Sequence, residues 1–204
     1  MNILGINGSH RPGKGTAALL QTALSAAESQ GAQTELVELG QLDIKYCVGC
    51  NACMRKPACA LHDDMNALMD KMRAADGIIV ATPDYFSNVS ARIKCFMDRT
   101  RCMHMVANAL KGKVAGGIVT AGLDNCGAEG AMAALDTYFA TMEMLVVHPR
   151  PQGPVMGSGA IATQLAGFDE ARIPSWRNVQ ADPVGAAFAR QLGIDMVALI
   201  NRLS

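Results

Sequence analysis

A chain of 204 residues, half of them hydrophobic, is long enough to bury one core, and a single domain is expected over residues 1–204. Its 18 basic and 18 acidic side chains cancel, which leaves no basic excess to hold nucleic acid or an anionic membrane. The opening MNILGINGSH lacks a basic segment before an apolar run, no stretch of about 18 consecutive apolar residues occurs, and the seven cysteines are odd in number, so a reducing, cytoplasmic setting is expected.

Short apolar runs alternate with helical patterns along the chain. Met1 to Asn7 reads as a buried strand, followed by a glycine-rich turn and a helix over Thr16 to Ser29, with Leu20, Ala23, Leu24 and Ala27 on one face. Gln33 to Leu39 is a second strand. Asp63 or Asp64 caps a helix running to about Ala75, and Gly77 to Thr82 is a third, wholly apolar strand. Ser90 to Arg101 is helical, Lys113 to Ala121 a fourth strand, Ala128 to Glu143 a helix and Met144 to His148 a fifth strand. Residues 149–183 are rich in proline, glycine and polar side chains without a period, and read as an irregular excursion, a dimer arm or a lid. A last helix covers about Val184 to Leu203. Strands separated by helices predict an α/β fold, a doubly wound parallel sheet of five strands with helices on both faces.

Between the second strand and the second helix, residues 46–64 form a cysteine-rich loop, YCVGCNACMRKPACALHDD. Cys47, Cys50, Cys53 and Cys59 are spaced C-x2-C-x2-C-x5-C. Three thiolates in register and a fourth shortly after suit the corners of a 4Fe-4S cluster. Structural zinc sites use two ligand pairs with a long spacer between them, which is absent here. The bacterial ferredoxin run places three residues before its last cysteine and a proline after it, whereas here the gap is five and Ala60 follows. Free or reversibly oxidised thiols are the alternative. Cys95, beside Phe96 and Met97, reads as a small core residue, Cys102 and His104 are too few to make a metal site, and His62 reads as a solvated loop histidine.

Ligands of such sheets sit beyond the carboxyl ends of the strands. The loop GSHRPGKGT, Gly8 to Thr16, aims backbone N–H groups and a helix N-terminus at an anion there. Gly8, Gly13 and Lys14 mimic a nucleoside-triphosphate loop, but Gly15 stands where Ser or Thr must meet magnesium, and Thr16 comes one place late. Gly5, Gly8, Gly13 and Gly15 also lack the dinucleotide spacing. A monophosphate held by Ser9, Arg11, Thr16 and the loop amides, with Lys14 and Gly15 alongside, fits better. The plain alternative is a glycine turn with a solvated arginine.

This loop, ATPDYFSNVSARIKCFMDRT at Ala81 to Thr100 and VTAGLDNCGAEG at Val119 to Gly130 together resemble the three flavin-contacting loops of the NADPH-dependent FMN reductase family. The cysteine run brings the resemblance to the iron–sulfur flavoprotein branch, and it extends over Met1 to His148. It implies a flavodoxin-like sheet of order 2-1-3-4-5, bound FMN, a 4Fe-4S cluster on Cys47, Cys50, Cys53 and Cys59, and a homodimer or homotetramer. It also implies that Pro83, Tyr85, Phe86, Ser87, Asn88, Val89 and Ser90 wrap the isoalloxazine, while Thr120, Ala121, Gly122, Asn125 and Gly127 face its pyrimidine edge. Cys126 departs from the glycine usual beside Gly127. In their own right, Tyr85 and Phe86 offer ring area to a flat ligand, or else pack on the following helix.

The expected chemistry lies on FMN, with no catalytic side chain. A cluster at the strand edge beside the flavin passes electrons singly from a ferredoxin-like donor, and the flavin delivers them to a small-molecule acceptor. One alternative is an NAD(P)H-dependent FMN, quinone or nitroaromatic reductase whose cysteines bind nothing. Another is a non-catalytic thiol redox sensor or electron carrier.

Overall fold

The computed structural model describes residues 1–123, 127–151 and 159–203. Strands β1 (Asn2–Asn7), β2 (Gln33–Glu38), β3 (Gly77–Pro83), β4 (Val114–Ala121) and β5 (Leu145–Val146) form a parallel sheet in the order β2-β1-β3-β4-β5. This is the flavodoxin-like order. β3 and β4 are buried along nearly their whole length, as strands covered on both faces must be.

Helices α2 (Asp64–Ala74), α3 (Ala91–Arg99) and α4 (Ala128–Thr141) cover one face, where Met69, Phe96 and Phe139 meet Ile78, Val80 and Val119. Helix α1 (Gly15–Ser29) and the last helix (Pro183–Leu203) cover the other, with Leu20, Leu24, Leu192 and Met196 against Ile3, Ile79 and Ile118. That last helix, α5, has the length and composition to cross a membrane. It is instead a core helix, capped by Asp182, whose Oδ1 accepts the amides of Val184 at 3.1 Å and Gly185 at 3.0 Å.

Two expectations need correction. Only Leu145 and Val146 of the fifth strand pair, beside the start of β4; β6 (Ala160–Thr163) pairs in parallel with Ile118 to Ala121, beside its end. Two short strands therefore share the fifth position, with Pro149 and Pro151, which have no ladder N–H, between them. The stretch 149–183 is accordingly less irregular than expected, since it also holds an antiparallel hairpin of β7 (Leu165–Phe168) and β8 (Pro174–Trp176). The second correction is smaller. α3 stops at Arg99 and tightens into a 3-10 turn over Thr100–Met103, where Thr100 Oγ1 donates to Met97 O at 2.8 Å.

Candidate functional site

β1, β3 and β4 end together, and the loops that follow them are tied to one another. Gly8 N–H donates to Ala81 O at 2.8 Å, Ser90 Oγ donates to Gly8 O at 2.7 Å, and Ser90 N–H donates to Thr82 Oγ1 at 2.9 Å. The hydroxyls of Thr16 and Thr120, both buried, share a bond of 2.7 Å. Ser90 also caps α3, its Oγ accepting from Ile93 N–H at 3.2 Å. Between the loops lies a cavity of about 210 Å³, lined by Ser9, Arg11, Lys14, Gly15, Thr16, Pro83, Asp84, Tyr85, Thr120, Ala121, Gly122, Gln164 and Trp176.

Ten of the expected flavin-loop residues are brought together there. Val89 and Ser90 are buried beneath the second loop, while Phe86, Ser87 and Asn88 stand exposed on its rim. Gly127 sits at the start of α4, and Asn125 lies outside the described residues.

At the anion end, the hydroxyls already have partners. Ser9 Oγ accepts Arg11 N–H at 3.1 Å, and Thr16 is engaged with Thr120. Gly13 N–H donates to Glu38 Oε1 at 2.9 Å, which places a carboxylate beside the loop. What remains for an anion is the first turn of α1, whose amides have no carbonyl one turn earlier, with the exposed side chains of Arg11 and Lys14.

The second loop is a tight turn closed by Tyr85 N–H to Asn88 O at 3.0 Å and Asn88 N–H to Tyr85 O at 3.2 Å. Its central residues, Phe86 (φ 54°) and Ser87 (φ 57°), are both left-handed, the conformation of a type I′ turn that ordinarily takes Asn and Gly. Strain of this kind in non-glycine residues persists where the surroundings over-determine it. Here the turn is closed by its two backbone bonds and accommodated by Gly127, at φ 92°, which lies so close that a Cβ on it would meet Ser87 Oγ at 1.9 Å. The turn thus holds Phe86 fully exposed, while Tyr85 turns back to within 5.8 Å of the His10 ring.

Three lining residues escaped sequence reasoning. Asp84 has one carboxylate oxygen buried without a partner, and burial pushes its pKa up. Gln164 and Trp176 come from the hairpin region, which is stitched to the third loop by Gln164 N–H to Ala121 O at 3.0 Å and Leu165 N–H to Gly122 O at 2.8 Å. Gln164 packs on Gly15, and Trp176 packs on Gly122. A lone tryptophan in the polar tail was the one available signal.

The cysteine loop is closed at its neck. Asp43 N–H donates to Asp64 Oδ2 at 2.8 Å and Lys45 N–H to Asp63 Oδ2 at 2.9 Å, while Asp63 and Asn66 form a capping box on α2. Arg99 pairs with Asp63 out of solvent, and its hydrogen bonds hold the Asp63 carboxyl down at about 2. Beyond this neck, Cys47, Cys50, Cys53 and Cys59 line one small recess with Arg99, Arg101 and Cys102. All four loop thiols are free, and Cys47 and Cys50 are exposed. Arg101 steadies the loop through Asn51 Oδ1 at 2.9 Å. Cys95 is buried and His62 exposed, as expected.

The recess shares no lining residue with the cleft. It sits at the far end of α3, whose nine residues span about 14 Å from Ser90 at the cleft. A groove lined by His10, Tyr46, Arg92 and Cys95 runs along α3 between the two.

Residues 1–151 match the family of NADPH-dependent FMN reductases. The chain belongs to that family. It is 32% identical over 205 residues to an iron-sulfur flavoprotein of Methanocaldococcus jannaschii, covering 99% of this chain and 100% of that one. A second, of Archaeoglobus fulgidus, is 34% identical over 192 residues, covering 94% and 92%. Both alignments run through the tail beyond His148, which motif reading left unmatched. Among solved structures, RosB with bound 8-demethyl-8-formylriboflavin-5'-phosphate superposes with a TM-score of 0.75 at 19% identity, covering 100% of this chain and 80% of that one. NAD(P)H:quinone oxidoreductase from Methanothermobacter marburgensis gives 0.68 at 15% identity, covering 96% of each. At such identities these establish the flavodoxin-like architecture. Family membership makes the protein an FMN-binding, flavin-dependent oxidoreductase.

Proposed function

We propose that this FMN reductase family member is an electron-transfer oxidoreductase of iron–sulfur flavoprotein type, taking electrons from a ferredoxin-like donor and delivering them to a small-molecule acceptor. The observation that carries the reading is the convergence of four free thiols on one recess walled by two arginines. FMN exchanges single electrons for pairs, and a 4Fe-4S cluster supplies them one at a time.

The donor set suits a cluster better than a lone ion. Tetrahedral zinc at about 2.3 Å from each sulfur needs sulfurs about 3.8 Å apart. Among the described residues, no three His, Cys, Asp or Glu side chains are close enough to hold one ion. A polynuclear centre spreads its ligands wider, and the exposed Cys47 and Cys50 are free to sit farther out. Arg99 and Arg101 offset the charge of four thiolates.

In the cleft, the first turn of α1 with Arg11 and Lys14 receives the FMN phosphate. Tyr85 and Trp176 flank the space for the ring, and Gly122 lets it approach the backbone. The protein works as a single domain in the cytoplasm and as a homodimer or homotetramer. The test is Cys50→Ala: it retains FMN but loses flavin reduction by reduced ferredoxin. Undiminished reduction sinks the proposal.

A second reading, direct reduction by NAD(P)H, is favoured by the distance of a whole helix between recess and cleft. It predicts rapid bleaching of the flavin by NADPH in wild type and in Cys50→Ala alike.

A further inference from the structure

Among the described residues, Arg99 is the largest side chain with essentially no solvent exposure. Nη1 donates to Lys45 O and to Asp63 Oδ2, both at 2.6 Å, and Nη2 donates to Asp63 Oδ1 at 2.9 Å. One guanidinium thus joins the two ends of the cysteine loop. Three of its five N–H groups are thereby paired, and of the two left Nε–H is buried and has no partner. Buried donors are almost always paired, so one left open in the wall of a recess calls for an acceptor within that recess. Of the other acceptors lining it, Asp98 Oδ1 accepts from Lys94 and Asn51 Oδ1 from Arg101, whereas the Cys59 sulfur is within electrostatic reach of the guanidinium. Sulfur accepts hydrogen bonds most readily as thiolate or sulfide.

We propose that Arg99 is the positioning residue that sets the reduction potential of a metal–sulfur centre in this recess, its Nε–H donating to the Cys59 sulfur or to a sulfide of the centre. The inference rests on the cluster reading above. Reduction adds one electron and no proton, so the centre becomes more negative by one charge. A hydrogen bond to its sulfur and an adjacent buried cation both favour that state, and the potential is higher than the four thiolates alone dictate. Asp63 opposes the effect by neutralising part of the guanidinium charge. The pair therefore makes predictions of opposite sign.

The experiment is a dithionite titration of anaerobically purified holoprotein, with the potential read by electron paramagnetic resonance and with iron and sulfide assayed on each sample. Arg99→Lys keeps the charge beside Asp63 but has no Nε–H, and its potential falls by the equivalent of about tenfold in the reduction equilibrium, ~59 mV for one electron. Asp63→Asn keeps an oxygen acceptor for the cap and unmasks the Arg99 charge, and its potential rises. A clamp with no electrostatic role moves neither potential once iron and sulfide match wild type, and that result overturns the inference. If Arg99→Lys fails to retain iron, Asp63→Asn decides alone: an unchanged or lower potential overturns the inference. Wild-type protein lacking iron and sulfide removes the cluster reading itself, and this inference with it.

Discussion

The indole of Trp176 lies against the backbone of Gly122, where a Cβ would meet its Cζ3 at 3.2 Å. A residue of the hairpin more than fifty positions downstream thereby forms one wall of the cleft at the end of β4, with about half of its surface exposed. Because Trp176 is the only tryptophan of the chain, it reports on that wall without competition. Titrating FMN into flavin-free protein quenches most of the indole emission as the cleft fills. Trp176→Ala weakens FMN binding by about 1 kcal/mol, several-fold in Kd, as expected for one aromatic contact. Emission indifferent to saturating FMN places the ring elsewhere.

Arg11 is an exposed cation at the mouth of the α1 N-terminus. Hydrogen bonds to charged partners contribute about 1.5–3 kcal/mol. Arg11→Ala therefore raises the Kd for FMN by about tenfold or more and leaves the Kd for riboflavin, which has no phosphate, unaltered. Isothermal titration with both ligands separates the two, and equal losses for both contradict a phosphate contact.

The Asp63 carboxyl, held by Arg99 near 2 against an ordinary 3.8, links stability to acid. A depressed carboxyl contributes stability that is fully present above the unfolded value, and it is lost as the pH falls from about 4 towards 2. The contribution is on the order of 2 kcal/mol. Urea midpoints measured from pH 5 to pH 2 fall steeply for wild type in that window. Asp63→Asn is flatter there and less stable at pH 7 by about 3–5 kcal/mol, because Arg99 is left buried without its counter-charge.

Burial pushes the thiols of Cys95 and Cys102 up, whereas Cys47 and Cys50 are exposed. Iodoacetamide on metal-free, reduced protein thus modifies the loop cysteines and spares Cys95 and Cys102, as peptide mass mapping reads directly. Protein carrying a centre in the recess protects Cys47, Cys50, Cys53 and Cys59 as well. Rapid labelling of Cys50 in protein purified without air contradicts ligation there.

The sheet was legible because β1, β3 and β4 are buried on both faces, and so read as apolar runs between helical periods. Most of the cleft was legible for the same reason, since its lining follows directly from where those strands stop. The turn of Phe86 and Ser87 was not: neither residue signals a left-handed backbone, and the Gly127 that leaves room for it lies some forty residues downstream. β6, β7 and β8 have three or four residues each, too few for a period to show, so Gln164 and Trp176 were invisible as cleft residues. The place of the cysteine recess was hidden because Arg99 and Asp63, which fix it, are 36 residues apart and nothing local pairs them.

The most direct measurement is an absorbance spectrum of anaerobically purified protein, with iron, acid-labile sulfide and flavin assayed on the same sample. The proposed function predicts about four irons and four sulfides per chain, with flavin bands beneath a broad shoulder at about 400 nm. Flavin bands alone, with neither iron nor sulfide, contradict it and leave a pyridine-nucleotide-dependent flavin reductase with four unexplained thiols.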